Sequence, residues 1–145
     1  MHNSERQEAT MPQTITPYVL YRDGAAAVDY LTRTFGFDEV VRSHSPEGRV
    51  WHAELRAGDG HIYLGEPGAD YRNPKQLGGV TVAIHVYVDD VDAHFARAKE
   101  MGAVLKGEPE DRPYGDRVYH ALDPEGHDWF FAQRVRDVPV EESSS

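Results

Sequence analysis

The chain contains nearly the same phrase twice, and this repeat limits the folds that it can adopt. Residues 49–55 read RVWHAEL and residues 117–123 read RVYHALD, 68 positions apart. A Gly-His pair follows each copy, at residues 60–61 and 126–127. Because this period is too long for a solenoid repeat and too short for an independent domain, we expect two related halves that bury their sheets together.

The first half predicts the element order βαβββ. Residues 14–23 are rich in β-branched and aromatic side chains and predict a strand, in which Pro17 indicates an edge position or a bulge. A helix follows over residues 24–36, between an N-capping Asp23 and a terminating Gly36. Three further strands are predicted near residues 38–45, 49–57 and 60–66.

The second half repeats this order after a connector rich in Gly, Pro and Asn at residues 67–79. Residues 80–88 predict a strand, and residues 90–102 predict a helix capped by Asp90. Its apolar stripe consists of Val91, Phe95, Ala98 and Met101. The remaining predicted strands lie near residues 103–109, 117–122 and 127–134.

These elements predict the fold class α+β, with two βαβββ modules in one domain at residues 14–134. The modules are expected at residues 14–66 and 80–134. The polar start, residues 1–13, and the serine-rich end, residues 135–145, are expected to be disordered.

The composition excludes several classes of function. The 145 residues include no cysteine, which excludes a disulfide framework, a thiolate metal site and a cysteine nucleophile. The net charge of −10 argues against a nucleic-acid partner, and predicts either a solvated acidic surface or a cleft that attracts a cationic ligand. No segment resembles a membrane span or the apolar core of a signal peptide, so a cytoplasmic protein without a membrane partner is expected.

Three segments of the tandem βαβββ pair carry a family resemblance: ITPYVLYRDGAAAVDYLTRTFGF at 15–37, HVYVDDVDAHFARAKEMGA at 85–103 and YGDRVYHALDPEGHDWFFAQ at 114–133. With them, the chain resembles the vicinal oxygen chelate superfamily, which includes glyoxalase I, the extradiol dioxygenases and the bleomycin resistance protein. The opening also looks like the PhnB-like branch of that superfamily. The resemblance implies that the cupped sheets of the two halves enclose a small-molecule cavity, completed in a homodimer.

The metal enzymes of that superfamily place their ligands on the first and last strands of each half. The resemblance maps these positions onto Thr16, Leu64, Ala83 and Phe130. Leu, Ala and Phe have no lone pair with which to bind a divalent cation. The resemblance therefore implies a metal-free member, like the bleomycin resistance protein, with no cofactor.

Strand alternation predicts which of the repeated histidines face the cavity. Side chains two positions apart share a face, so His52 and Glu54 point away from the apolar Ala53 and Leu55, and His120 holds the matching place in the other half. Two interpretations stay open: the histidines bond to neighbouring strands and support the fold, or His52, Glu54 and His120 hold a metal at a position unlike that of the family.

The other candidates share the faces of the mapped positions. His85 lies one step along the strand from Ala83 and is a candidate general base or ligand donor, with a satisfied core histidine as the alternative. The acidic loop 107–117 forms either a rim over the cleft or a solvated turn. The predicted ligand-binding side chains are, beside the histidines and Glu54, Tyr18, Leu20, Tyr87, Tyr114 and Phe130. Core positions are expected for Trp51, Trp129 and Phe131, and structural turn positions for His61 and His127.

Two classes of function follow from these residues. The favoured one is a metal-free protein that binds a small aromatic or cationic molecule of the kind met in antibiotic resistance. The alternative is an enzyme, either a glyoxalase-like lyase that uses the His52, Glu54 and His120 set or a metal-free catalyst built on His85.

Overall fold

The first half of the chain forms a four-stranded sheet backed by a helix. The structure is a computed structural model and describes residues 12–139. The elements of this half are β1 (Tyr18–Leu20), α1 (Gly24–Phe35), β2 (Asp38–His44), β3 (Val50–Ala57) and β4 (Gly60–Gly65). The strand order is β1-β4-β3-β2, with β1 parallel to β4. β1 therefore lies at the edge predicted by Pro17, which precedes it directly.

The second half repeats this arrangement after a short helix in the connector. Its elements are α2 (Pro74–Leu77), β5 (Ala83–Tyr87), α3 (Val91–Glu100), β6 (Val104–Leu105), β7 (Glu110–Asp111), β8 (Asp116–Leu122) and β9 (Asp128–Arg134). The strand order is β5-β9-β8-β6, and β7 also pairs with β8. The predicted fold class, α+β with two mixed sheets, is confirmed.

One predicted strand is much shorter than expected. Residues 103–109 contain only the two-residue β6, and pairing with β8 resumes at β7. Gly107 has φ 142°, and Pro109 has no amide hydrogen to donate to a neighbouring strand. These two residues interrupt the ladder. The acidic loop is thereby tied to the sheet through Glu110 and Asp111.

Local signals set the ends of α1 as predicted. The Asp23 carboxylate accepts a hydrogen bond from the amide of Ala26, which satisfies one free donor of the first turn. The helix ends at Gly36, whose φ of 79° is disfavoured for side chains with a Cβ. Between these ends, Val28 and Leu31 are fully buried against the sheet. α1 is thus fixed by its caps and by its apolar stripe.

A single hydrophobic core is shared by the two halves. Phe35, the last residue of α1, contacts rings from both halves, on α1, on α3, on β9 and just before β2. Its centroid is 5.3 Å from Tyr30, 6.2 Å from Phe37, 6.2 Å from His94, 5.8 Å from Trp129 and 4.7 Å from Phe131. Trp129 and Phe131 are buried, as predicted. None of the helices within residues 12–139 has the length and apolar character of a membrane span.

The predicted core position of Trp51 is wrong, because its side chain is 51% exposed. The register of β2 against β3 explains the difference. Ser43 pairs with His52 and His44 pairs with Val50, so Trp51 is an extra residue in the ladder. Such a bulge breaks the alternation of faces. It leaves Val50 in the core and turns Trp51 out of it.

A buried carboxylate in the repeated turn joins the two halves. Asp123 is 3% exposed and accepts hydrogen bonds from the Tyr21 hydroxyl at 2.6 Å and the Trp129 indole at 3.0 Å. It also accepts the backbone amides of Glu125 and His127 at 3.0 Å, which closes the turn. Asp123 of the DPEGH sequence therefore links Tyr21, the residue after β1, to Trp129 on β9 by hydrogen bonds.

The next acidic residue of the turn extends this connection. Glu125 accepts the backbone amides of Arg22 at 2.7 Å and Asp23 at 2.9 Å, and its Oε1 also accepts from the Asn73 side chain at 3.0 Å. His127 donates through Nε2 to the carbonyl of Leu20 at 2.8 Å. The predicted structural role of the second Gly-His turn thus consists of contacts across the seam between the halves.

Some hydrogen bonds reach beyond the predicted domain boundaries. Gln13 donates to the carbonyl of His61 at 3.0 Å, and the amides of Val135 and Arg136 donate to the carbonyl of Gly115. These contacts attach residues that were assigned to the disordered tails. The rest of the predicted disorder concerns mainly residues 1–11 and 140–145, which lie outside the described residues.

His94 is a titratable group inside the core. Its Nε2 donates to the Phe35 carbonyl at 2.8 Å, so its Nδ1 accepts the Tyr119 hydroxyl at 2.6 Å in the neutral ring. Burial lowers the pKa of His94 below its ordinary value, and the charge of Arg97 acts in the same direction, while the hydrogen bond to Phe35 opposes them. The folded state therefore favours the neutral imidazole.

We expect the free energy of unfolding to fall as the pH drops below about 6.5, the ordinary histidine value, because the unfolded chain then binds a proton that the folded chain resists. Urea unfolding at mildly acidic and neutral pH measures this loss. His94→Gln keeps one donor and one acceptor and should show a smaller loss over the same range. An equal pH dependence in both proteins would contradict the assignment to His94.

Candidate ligand cavity

A cavity of about 450 Å³ lies where the first strands of the two halves meet the connector. β1 exposes Tyr18 and Leu20 on one face and buries Val19 on the other. The apolar side chains that form its walls include Tyr18, Leu20, Tyr71, Leu77, Val80 and Val82. Its volume and its apolar lining are typical of a site for a small organic molecule.

Tyr18 is held in place by a cluster on the first sheet. Its hydroxyl is 3.0 Å from Nδ1 of His52, and its ring is tilted against His52 and edge-on to Tyr63. His52 and Tyr63 also pack edge to face, with centroids 4.9 Å apart. Three rings thus support one another on an exposed sheet face. Tyr18 can present a fixed aromatic surface to a ligand, because its orientation is set by contacts of its ring and its hydroxyl.

The connector forms the opposite wall through its own hydrogen bonds. The Tyr71 hydroxyl donates to the carbonyl of Leu20 at 2.9 Å, and burial raises the pKa of Tyr71, as does the nearby charge of Glu125. The phenol therefore remains a donor at neutral pH. Asn73 and Gln76 form a reciprocal capping box at the start of α2. These bonds fix the short helix that carries Leu77.

The predicted site residues do not form one site. Tyr18 and Leu20 line the cavity, and His52 supports Tyr18. Glu54 turns to His61 of the neighbouring strand, whose Nδ1 lies 2.7 Å from the carboxylate in a close polar contact without hydrogen-bond geometry. His61 therefore contacts its own sheet, in keeping with the structural role expected of it.

The other predicted residues lie on the second sheet. His85, Phe130 and His120 occupy one cross-strand row of β5, β9 and β8. The His120 and Phe130 rings stack at 4.2 Å, and Nε2 of His120 is 3.0 Å from the Asp128 carboxylate. This row does not line the cavity beside Tyr18, although Asp128 does.

Tyr87, Tyr114 and His85 also lie away from the cavity. The Tyr87 hydroxyl donates to the buried Asp116, and this hydrogen bond, with burial, raises the pKa of Tyr87. Asp116 also accepts from Arg134 at 2.6 Å. Tyr114 belongs to the turn between β7 and β8. His85 and Tyr87 both line a smaller cavity of about 260 Å³ beside His61. The ligand-binding roles of His85, Tyr87 and Tyr114 stay predictions.

One of the four mapped ligand positions is placed on the wrong face. Leu64 is fully buried in the core, and Tyr63 is the β4 residue beside Tyr18. The cause is a difference in turn length. β3 and β4 are joined by two residues, so His61 already belongs to the strand, whereas His127 precedes β9. Counting from the Gly-His pair therefore gives opposite faces in the two halves.

The donors needed for a metal are not brought together. His52 contacts Tyr18, Glu54 contacts His61, and His120 contacts Asp128, on two different sheets. Residues 12–139 contain no group of three His, Asp or Glu side chains placed to hold an ion. At the mapped family positions, Leu64 is in the core, and Ala83 and Phe130 have no donor atom. The residues present do not fit the family's metal.

Sequence reasoning missed the contribution of the connector. Its Gly, Pro and Asn content predicts a linker, yet Tyr71, Arg72 and Leu77 line the cavity. The available signal was the presence of large apolar side chains in a segment with no predicted strand or long helix. Here the Tyr71 hydroxyl donates to the carbonyl of Leu20 on β1, and Leu77 lines the same cavity.

The family model for the Glyoxalase/Bleomycin resistance protein/Dioxygenase superfamily matches residues 14–131. The uncharacterized protein Mb0911c of Mycobacterium bovis is 36% identical over 133 residues, which span 88% of each chain.

Solved structures share the architecture. TioX from Micromonospora sp. ML1 is 32% identical with a TM-score of 0.68, over 86% of this chain and 100% of that one. TnmS3 from Streptomyces sp. CB03234 is 23% identical with a TM-score of 0.59, over 86% and 99% of the two chains, and shows the fold alone. With the tandem modules and the matched residues 14–131, these findings show that the chain belongs to the Glyoxalase/Bleomycin resistance protein/Dioxygenase superfamily.

Proposed function

We propose that this protein binds a small organic molecule with a planar aromatic ring system, without a metal ion, in the cavity between β1 and the connector. The observation that supports this most directly is the lining. The cavity of about 450 Å³ is lined by two tyrosine rings, Tyr18 and Tyr71, and the ring of Tyr18 is held by His52. The aliphatic side chains of Leu77, Val80 and Val82 complete the lining. Aromatic pairs contribute about 0.5–1.5 kcal/mol beyond the apolar area that they bury.

The lining favours an aromatic ligand over a cationic one. The only charged side chains in the cavity wall, among the described residues, are Arg72 and Asp128, with His127 as a titratable neighbour. The carboxylate of Asp128 is already in contact with His120. A cationic ligand would therefore be repelled by the Arg72 guanidinium, and the Asp128 carboxylate that could attract it already contacts His120. The acidity of the chain as a whole is not reproduced at this site.

The proposal includes a more specific ligand class, an antibiotic. TnmS3, which shares the fold, is described as an antibiotic binding protein. At 23% identity that description does not transfer by itself, so a role in antibiotic resistance rests on the cavity found here. The enzymatic alternative has less support, because neither His85 nor the His52, Glu54 and His120 set lines this cavity. The cytoplasmic location expected from the sequence stays a prediction.

The homodimer expected from the resemblance is also part of the proposal. Large side chains remain exposed on the sheet faces of the single chain: Tyr87 is 57% exposed, Val104 54% and Trp51 51%. We propose that a second subunit covers these sheet faces.

We expect 2-naphthol, a neutral two-ring compound, to bind the wild type and to bind Tyr18→Ala about tenfold more weakly, since that ratio corresponds to about 1.4 kcal/mol of lost ring contact. Isothermal titration calorimetry measures both affinities. Tyr114→Ala is the matched control, because Tyr114 is also a partly exposed tyrosine but does not line the cavity.

Two results would contradict the proposal. One is the absence of binding to the wild type by naphthol and other two-ring aromatic compounds, and the other is an equal loss of affinity in both variants. Light scattering on the titrated samples gives the mass of the protein. A monomer at the concentrations used would exclude the homodimer.

A further inference from the structure

A basic groove adjoins the aromatic cavity. It has a volume of about 340 Å³ and is lined by Lys75, Lys106 and His120, among others. It shares Pro74, Gly79, Val80 and Asp128 with the cavity, so the two lie side by side along the same segments. A ligand that fills the cavity therefore lies next to the groove.

The side chains that line the cavity and the groove carry a net positive charge, whereas the chain as a whole is negatively charged. The protein has 25 acidic against 15 basic residues, and only three of the basic ones are lysines. Two of these three, Lys75 and Lys106, line the groove, and Arg72 lines the adjoining cavity. Asp128 is the one carboxylate among these lining residues, and it contacts His120. Basic side chains gathered at one concave place on an acidic protein focus a positive potential there.

The cationic groups of Arg72, Lys75 and Lys106 form no ion pair in the described part of the chain. Most of the ion pairs within residues 12–139 involve arginines such as Arg42, Arg117 and Arg134, and neither lysine nor Arg72 takes part in one. A free ammonium group in a groove has donors that only water or a ligand can use.

The backbone beneath each lysine is fixed to the same hairpin. The amide of Lys75 donates to the carbonyl of Glu125 at 3.1 Å, and the amide of Lys106 donates to the carbonyl of His120 at 2.9 Å. Glu125 and His120 both belong to the β8–β9 hairpin, which also carries Asp128. Two segments far apart in sequence thus bring their lysines to one rigid support.

We infer that the ligand carries an oxyanion, a carboxylate or a phosphate, which binds between Lys75 and Lys106 while its aromatic rings occupy the cavity. This inference rests on the proposed function and adds the charge of the ligand to it. Lysine ammonium groups recognise either oxyanion as point charges, so the shared chemistry is an anionic oxygen group attached to a planar body.

The test compares 2-naphthol, 2-naphthoate and 2-naphthyl phosphate, which share one ring system. On the wild type we expect at least one of the two anions to bind about tenfold more tightly than 2-naphthol, with a gain that shrinks between about 0.05 and 0.5 M salt. The double variant Lys75→Gln, Lys106→Gln should lose this gain and keep its affinity for 2-naphthol. Lys99→Gln, which alters the third lysine, outside the groove, should behave as the wild type.

The outcomes separate the two proposals. A gain for 2-naphthoate alone identifies a carboxylate ligand, a gain for 2-naphthyl phosphate alone identifies a phosphate ligand, and a gain for both supports the shared chemistry. Equal affinities for all three compounds, or a gain that survives in the double variant, would overturn the inference while the proposed function stands. If none of the three binds the wild type, the proposed function fails and this inference fails with it.

Discussion

Replacing Asp123 with alanine should lower the free energy of unfolding by about 3–5 kcal/mol, close to what is lost when one partner of a buried charged contact is removed. The carboxylate is 3% exposed and accepts four hydrogen bonds. Without it, the Tyr21 hydroxyl and the Trp129 indole would be buried with no partner, at a cost of about 1–3 kcal/mol each. The turn would also lose the two backbone contacts that close it.

Guanidinium unfolding measures this loss, and two variants make it specific. Tyr21→Phe removes only the bond between the halves and should cost less than Asp123→Ala. Asp59→Ala alters an exposed carboxylate in the turn between β3 and β4 and should stay within about 0.5 kcal/mol of the wild type. A loss below about 1 kcal/mol for Asp123→Ala would show that the turn does not hold the halves together.

Replacing Phe35 with alanine should cost about 3–5 kcal/mol, the usual range for removing a buried phenylalanine. Phe35 is 2% exposed and lies between the two halves, in contact with rings of both. Its removal would leave a cavity bounded by the rigid β9 and α1, which have little freedom to close it. The loss should therefore fall near the upper part of this range.

Trp51→Ala is the matched control, because Trp51 is larger than Phe35 but is half exposed at the bulge of β3. Its cost should not exceed about 1 kcal/mol. Urea unfolding of both variants measures the difference. Equal losses would mean that Trp51 is as closely packed as Phe35, either in the core or against a second subunit.

The cavity and the groove depend on the connector more than on the repeated strands. The repeat supplies two sheets with exposed faces, and the connector then crosses beside β1 and supplies Tyr71, Arg72 and Lys75. The connector occurs only once in the described chain, so its residues have no symmetry-related copy in the other half. This is why the cavity and the groove are asymmetric although the fold is nearly duplicated.

The predicted elements were found where local signals are strong. The caps Asp23 and Gly36 and the apolar spacing of α1 specify a helix from the sequence alone. The second predicted strand of the second half, residues 103–109, is mostly absent because Gly107 and Pro109 override the apolar content of this segment. The predicted faces of Trp51 and Leu64 are wrong for another reason. A bulge at Trp51 and a difference in turn length before Leu64 change the face of the sheet on which each side chain lies.

The sequence by itself determined the duplication, the element order and the family, because repeats, caps and periodic apolar positions are local features of the chain. It also showed that Leu, Ala and Phe at the mapped positions cannot bind a metal. Only the tertiary structure decided which histidines meet, that Asp123 joins the halves, and that Lys75 and Lys106 share one groove. These contacts join residues that are distant in sequence, and strand register and turn length place them, so no local pattern records them.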